Sequence, residues 1–319
     1  MLKQNSQIKV LKATPATVHW GYLDAAIPPA LTIDSGEQVR IECVTGGPEW
    51  LPPADRGFDL LPDLLEVIHK VKKGSGNHIF TGPVYVRGAE IGDVLEVKIL
   101  DIELRQNWGW NIFRSYMGTV PEDYRYTRLM HVALDLQSKI ALMPSGFRIP
   151  LAPFFGQLAV APPAAVGRQN SKEPREFGGN LDCKELTSGS TIYLPVWNVG
   201  ALFSTGDGHA AQGDGEVNGT AIETSLAGTF EFVVRKDLGW KIPRAETPTH
   251  YITFGLDPDL DDAARQCLKE MISWIIALTG IHKDEAYSLC SFVCDLHVTQ
   301  TVNNVKGVHA MLPKSVLVK

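Results

Sequence analysis

The stretch that decides the fold is DVLEVKILDIEL, residues 93–104. Its apolar side chains first occupy alternate positions, the period of a half-buried strand: Leu95, Val97 and Ile99. The alternation then restarts one residue late: Leu100, Ile102 and Leu104. Because one extra residue moves every later side chain to the other face, this slip predicts a β-bulge or bend within one long strand.

Similar patterns extend on both sides of this strand. Residues 37–44 (EQVRIECV) alternate in the same way, and residues 190–199 and 229–238 also have strand character. Pro195 lies inside one of these segments and predicts an edge strand or a bulge there. Residues 151–179 are rich in Pro, Gly and polar residues, so we expect a linker or a long functional loop.

Helical periodicity appears near the end of the chain. From Asp259 the apolar residues recur every three to four positions up to Gly280, which suits the position after a helix. A second helix is predicted from Lys283. The sequence therefore predicts a mostly β, α+β protein, with β-sandwich or barrel-like sheets and a few helices concentrated near the C-terminus. We divide it into a β-rich portion, 1–165, and a β-rich portion with the C-terminal helices, 166–319, sharing one site.

Charge and apolar patterning exclude several classes of function. The net charge is −6 and the densest basic run is HKVKK (residues 69–73), so we expect no nucleic-acid partner. No apolar run reaches the roughly 18 residues of a membrane span, and the N-terminus has no signal-peptide pattern. Five cysteines without framework spacing predict free thiols, and hence a cytoplasmic protein.

The segment GDGHAAQGDGE, residues 206–216, concentrates metal-capable groups on a backbone rich in glycine. It lacks the Lys of a phosphate-binding loop, and its spacing does not fit an EF-hand. Asp207 and His209 are two residues apart, so in an extended segment both face one side and one metal ion. A transition-metal hydrolytic site, a non-standard calcium site and a solvated hairpin loop all remain open on these residues alone.

A family resemblance rests on long stretches of sequence. GGNLDCKELTSGSTIYLPV (178–196) and GALFSTGDGHAAQGDGEVNGTAIE (200–223) resemble the acetamidase/formamidase family. Residues 27–43, residues 78–104 and MLPK (311–314) match the same family, so the resemblance covers nearly the whole chain. It implies a cytoplasmic, homo-oligomeric (dimer or higher), β-rich enzyme that hydrolyses small aliphatic amides to carboxylate and ammonia. It also implies a bound divalent metal, zinc or calcium.

With this chemistry in view, we assign candidate roles to individual residues. His78, Asp182 and His209 are the candidate metal ligands, and Asp207 is a ligand or orients an imidazole. Zinc is the expected metal, since His and carboxylate ligands suit it, and calcium is the alternative. A metal of this kind activates water and polarises the amide carbonyl.

Proton transfer and substrate contacts need further side chains. Glu216 and Glu223 are the candidate proton shuttles, and burial of Glu223 among apolar residues would raise its pKa into the working range. His19 is a candidate for substrate binding. His297 and His309 are interpreted as structural, and the aromatic group around Trp110 as either a pocket wall or packing.

Rival functions remain open at this point. Cys183, next to Asp182, is a candidate nucleophile for a covalent mechanism. A cyclic-amide (lactam) hydrolase is the nearest alternative within the same chemistry. A non-catalytic β protein that binds a metal or small ligand is the alternative from another class.

Overall fold

A computed structural model describes residues 8–318. Its three α-helices are α1 (Pro62–Lys70), α2 (Leu260–Thr279) and α3 (Lys283–Val293). The first strands are β1 (Lys9–Leu11), β2 (Val18–Trp20), β3 (Tyr22–Leu23), β4 (Leu31–Ile33), β5 (Gln38–Glu42), β6 (Ile79–Val86), β7 (Val94–Leu104) and β8 (Trp108–Phe113). Next come β9 (Arg128–Asp135), β10 (Ile140–Leu142), β11 (Arg148–Pro150), β12 (Phe154–Ala159), β13 (Gln169–Asn170), β14 (Gly178–Asn180) and β15 (Thr191–Pro195). The last are β16 (Phe203–His209), β17 (Leu226–Arg235), β18 (Arg244–Glu246), β19 (His250–Asp257), β20 (Asp295–Gln300) and β21 (Lys306–Pro313).

The largest sheet has nine strands in the order β1-β5-β17-β7-β15-β18-β19-β21-β20. Strands from before and after residue 165 alternate in its first half, because β17 lies between β5 and β7. The division of the chain at residue 165 stays a prediction. Its two portions contribute neighbouring strands to this sheet.

A second sheet, of six strands, contains β16, on which the candidate site residues Asp207 and His209 lie. Its order is β14-β12-β16-β6-β2, with β4 paired to β6 in parallel. Phe155 and Phe203 on this sheet pack against Phe230 of the nine-stranded sheet, with ring centroids 5.5 and 5.9 Å apart. The two sheets therefore enclose one apolar core, as the mostly β, sandwich-like prediction requires. A four-stranded sheet, β11-β10-β9-β8, and the pair β13-β3 complete the β structure of residues 8–318.

The irregularity predicted in residues 93–104 is confirmed. In the pairing of β7 with β17, Thr229 lies opposite Asp101 and Phe230 lies opposite Ile99. Leu100 is thus the extra residue of a bulge and is exposed, whereas Ile99 and Ile102 are buried.

The two C-terminal helices also agree with the sequence prediction. The Asp259 carboxylate accepts hydrogen bonds from the backbone N–H groups of Asp261 and Asp262, and Gly280 ends α2 with a φ of 72°. Met271 and Ile275 of α2 belong to the buried cluster that covers Ala310 of β21. The short helix α1 was not expected from the sequence.

Two local predictions hold only in part. Residues 151–179 are not a linker, because they contain β13, the start of β14 and the strand β12, whose residues are all buried. Pro195 lies in β15, which as a whole is not an edge strand because it lies between β7 and β18. It is tolerated at the end of β15, since β18 pairs only with Thr191–Tyr193 and needs no N–H from residue 195.

No helix within residues 8–318 is long and apolar enough to cross a membrane.

Candidate active site

The site is built around the end of β16. Asp207 and His209 are two residues apart on this strand, and both point to the same face, as expected from the sequence. Asp207 Oδ2 lies 3.4 Å from His209 Nε2. Both side chains are buried, and the ring of Phe154 packs edge-on against the His209 imidazole at 4.9 Å.

Glu223 approaches His209 from the neighbouring segment. Its Oε2 atom lies 3.4 Å from His209 Nε2, and its Oε1 atom accepts a hydrogen bond of 3.0 Å from the Ala221 N–H. The backbone of Glu223 is held on both its N–H and its carbonyl by Trp110, at 2.8 and 2.9 Å. The carboxylate is therefore fixed by the backbone on one oxygen and faces the imidazole with the other.

Asp182 reaches the same point from the segment that follows β14. An added β-carbon on Gly156 of β12 would lie 2.6 Å from Asp182 Oδ1, 2.6 Å from Asp207 Oδ2 and 2.8 Å from His209 Cε1. Those three side chains thus converge over residue 156, where only a glycine leaves room for them.

His78 immediately precedes β6 and faces Asp207, with 3.8 Å between His78 Nε2 and Asp207 Oδ2. Its other ring nitrogen, Nδ1, is 2.9 Å from Ser171 Oγ and 3.0 Å from Gln157 Nε2. These two partners orient the ring, as outer partners do for metal-binding histidines.

Backbone strain is concentrated at this site. Of the seven non-glycine residues in 8–318 with φ in the left-handed region, three are acidic residues of the site: Asp182 (50°), Asp207 (58°) and Glu216 (42°). Such conformations cost about 1–3 kcal/mol each and persist where the surrounding structure imposes them. The backbone is therefore strained at three of the four carboxylate residues that surround His209.

Four buried carboxylates surround the buried imidazole of His209. The pKa values of these five groups are not all shifted in the same direction. Burial would lower the pKa of His209, but Glu223 and Asp207 outweigh it and raise that pKa well above its usual range. Burial also opposes ionisation of Asp207, yet His78 and His209 outweigh it and lower its pKa. Burial, reinforced by the neighbouring carboxylates, raises the pKa of the other three: Asp182, Glu216 and Glu223.

Two groups of side chains at this site have the composition of metal ligands. Asp182, His209 and Glu216 form one group, and Asp207, His209 and Glu223 form the other; within each, the potential ligand atoms lie within 4.8 Å of one another. Both carboxylate oxygens of Asp182 and both ring nitrogens of His209 are buried and have no hydrogen-bond partner among residues 8–318. Buried polar atoms normally have a partner, so this donor set fits a divalent cation.

A cavity of roughly 240 Å³ opens onto these groups. Four of the candidate residues line it: His78, Asp207, Glu216 and Glu223. Trp50 and Trp110 form an aromatic wall, stacked with centroids 4.6 Å apart. Arg114 and Asn180 add polar groups to the lining.

Other residues singled out in the sequence lie elsewhere. His19 does not line the cavity; it is buried and stacks on Phe80 at 5.0 Å. Within residues 8–318, neither of its ring nitrogens has a hydrogen-bond partner. Cys183 is fully buried, and burial raises the pKa of its thiol. All five cysteines are free, as predicted. Asp214 diverges from Glu216 and contacts Lys184 and His297 instead.

Sequence reasoning missed Gly156, Gln157 and Ser171. Gly156 leaves the space in which the site forms, and Gln157 and Ser171 orient His78. The only local signal was the run FFGQLA in residues 154–159, where a glycine interrupts apolar residues in a segment interpreted as a linker or a long functional loop.

Comparison with known proteins identifies the family. The model of the acetamidase/formamidase family matches residues 9–173 and 164–318. The chain belongs to the acetamidase/formamidase family. It is 32% identical over 254 residues to an acetamidase of Mycolicibacterium smegmatis, a match that spans 60% of this chain and 59% of that relative.

Solved structures of the acetamidase/formamidase family share the fold along nearly the whole chain. The acetamidase of Bacillus halodurans is 30% identical with a TM-score of 0.83, covering 96% of this chain and 98% of that one. The acetamidase of Yersinia enterocolitica is 26% identical with a TM-score of 0.86, covering 99% and 95%. The resemblance found in the sequence is confirmed.

Proposed function

We propose that this protein hydrolyses short aliphatic amides of the formamide and acetamide type to a carboxylate and ammonia. The observation that carries the proposal is the buried His209, flanked by four carboxylates at a small cavity, in a chain of the acetamidase/formamidase family. Amide hydrolysis requires an activated water, an electrophile for the carbonyl oxygen and a proton for the departing nitrogen.

His209, Asp182 and Glu216, with Asp207 and His78 on the facing side, are the residues that would hold a divalent metal ion. When bound, such an ion lowers the pKa of a coordinated water to about 7 and polarises a carbonyl oxygen. The imidazoles favour zinc, whereas the excess of carboxylates suits calcium, so the choice between them is open to measurement. The unpartnered atoms of Asp182 and His209 support a cation here.

Glu223 is the proposed proton shuttle. Its carboxylate lines the cavity, one oxygen accepts a hydrogen bond from the Ala221 N–H, and burial raises its pKa above the usual value of a glutamate. Such a group can take a proton from the attacking water and deliver it to the leaving nitrogen. Glu216 is the alternative, because it also lines the cavity with a raised pKa.

The size of the cavity favours a small substrate. Roughly 240 Å³ is less than the ~300–1,000 Å³ typical of sites for drug-sized ligands. Trp50 and Trp110 offer an apolar wall for a short acyl chain, while Asn180 and Arg114 offer hydrogen bonds to the amide.

The direct test measures ammonia release from formamide, acetamide and a lactam, before and after complete chelation. We expect release from the linear amides, loss of it on metal removal and recovery when a divalent metal is restored. Hydrolysis of the lactam alone would favour the cyclic-amide alternative, and no hydrolysis of any amide would favour a binding protein. Activity that survives metal removal would contradict the metal-dependent mechanism.

A homo-oligomer is also proposed. β20 is an edge strand of the nine-stranded sheet, and its Leu296 and Val298 are exposed; Phe292 of α3, the helix that precedes β20, is 77% exposed. Apolar side chains on an open sheet edge suit a second copy of the chain. Light scattering coupled to gel filtration measures the mass directly, and a monomer would contradict this proposal.

A further inference from the structure

A second cluster of metal-capable side chains lies outside the cavity. It consists of Asp214, on the loop after β16, and of His297 and His309, which face each other across β20 and β21. Each offers a potential ligand atom within 4.8 Å of the other two. The two imidazoles stack with centroids 5.0 Å apart, and His297 Nδ1 lies 3.1 Å from Asp214 Oδ2.

One ring nitrogen of this cluster has no hydrogen-bond partner in the part of the chain that the structure describes. His309 is fully buried, and its Nε2 atom is the one that lacks a partner. Its Nδ1 atom lies 2.7 Å from Thr299 Oγ1. If Nδ1–H donates to Thr299, the Nε2 lone pair is free, which is the tautomer of a metal-binding histidine oriented by an outer partner. A buried lone pair without a partner destabilises the folded state unless something binds it.

We propose that Asp214, His297 and His309 form a second metal site, separate from the one at His209, for a zinc-like divalent ion. Two imidazoles and one carboxylate are a donor set that zinc accepts, and solvent can supply a fourth ligand because Asp214 and His297 are partly exposed. The three donors come from a loop and two paired strands, so the ion would join them.

Lys184 modulates this site. Its ammonium lies 3.1 Å from Asp214 Oδ2 and 2.7 Å from Glu185 Oε1. A fixed positive charge next to a ligand repels a divalent cation and lowers its affinity. The affinity of the site is therefore set partly by Lys184, a residue that is not a ligand.

An ion at this second site would also strengthen the connection between β20 and the loop that contains Glu216. Gly215 N–H donates to the Thr299 carbonyl at 3.1 Å, and Thr301 N–H donates to the Gly215 carbonyl at 3.0 Å. These bonds already tie β20 to the loop that carries Glu216 into the cavity. A metal ion on Asp214, His297 and His309 would reinforce the same connection and so fix the position of Glu216.

The test is calorimetric titration of the metal-stripped protein with Zn²⁺ at micromolar concentrations. His297→Ala and Asp214→Asn are each expected to bind one ion fewer than wild type, whereas His209→Gln is expected to retain the ion at the second site. His69→Ala, which removes an exposed histidine on α1, is the matched control and should bind as wild type does.

Lys184→Met tests the proposal through an increase in affinity for the ion, which a misfolded variant would not show. Removing its charge is expected to tighten the second site by up to about tenfold. Zn²⁺ should also raise the thermal midpoint of His297→Ala by less than it raises that of wild type, because the variant lacks one binding site. Equal stoichiometry in wild type, His297→Ala and Asp214→Asn, or unchanged affinity in Lys184→Met, would overturn the proposal.

Discussion

Gly156 lies directly against the carboxylate of Asp182, and a β-carbon on Gly156 would stand 2.6 Å from Asp182 Oδ1. The same added carbon would lie 2.6 Å from Asp207 Oδ2. Since neither contact is possible, any larger residue here must push these carboxylates apart. The open space beside β12 is thus a structural requirement of the site.

Gly156→Ala is accordingly expected to lose activity and metal binding together while keeping the fold, at a cost in stability of about 1–3 kcal/mol. The matched control is Gly213→Ala, where an added β-carbon meets nothing within 4 Å. Ammonia release, metal content and circular dichroism of the two variants provide the measurement. Wild-type activity in Gly156→Ala would contradict this account of the site.

Glu223→Gln tests the proton shuttle. The amide preserves shape but transfers no proton, so we expect kcat to fall by about 10²–10⁴-fold with metal content unchanged. Glu216→Gln is the comparison, and it should reduce metal binding as well if Glu216 is a ligand. If instead Glu216→Gln alone abolishes turnover with full metal content, the two roles are exchanged.

Cys183→Ala should leave amide hydrolysis within about twofold of wild type. The thiol is fully buried, and burial raises its pKa, so the thiolate nucleophile is disfavoured. Initial rates and sensitivity to an alkylating reagent provide the measurement. A hundredfold loss of activity with intact structure would instead restore the covalent mechanism.

His19 should make folding stability depend on pH. Burial lowers the pKa of its imidazole to about 3, against about 6.5 in the unfolded chain. Between these values the unfolded chain binds the extra proton, so stability is present above about pH 6.5 and is lost as the pH falls toward 3. The slope from this one group is at most about 1.4 kcal/mol per pH unit.

His19→Phe keeps an aromatic ring against Phe80 and removes the titrating group. Urea unfolding between pH 7 and pH 4 should show a shallower loss of stability in this variant than in wild type. Parallel curves for the two proteins would show that His19 does not titrate as its burial implies.

How much of this structure can be predicted from the sequence depends on how far apart in the chain the residues that determine each feature lie. The bulge at Leu100 and the caps of α2 are local patterns, and both were found. β12 was missed because all of its residues are buried, so it lacks the alternation of a half-buried strand.

The same distinction between local and long-range features applies to the residues of the site. Asp207 and His209 lie within one motif and face one side of one strand. Gln157 and Ser171, which orient His78, are 79 and 93 residues away from it in the chain. No local pattern records such pairings, because they arise only when β6, β12 and β16 are in register.

That long-range construction has a consequence for folding. α2 packs against β19 and α3, its neighbours in the sequence, and against β21, all within residues 250–313. The site instead requires segments between His78 and Glu223 to meet first. Closing such long loops is entropically unfavourable and slow relative to helix formation. On refolding from denaturant, enzymatic competence should thus return only after most of the helical signal, which would make turnover a late reporter of the native topology.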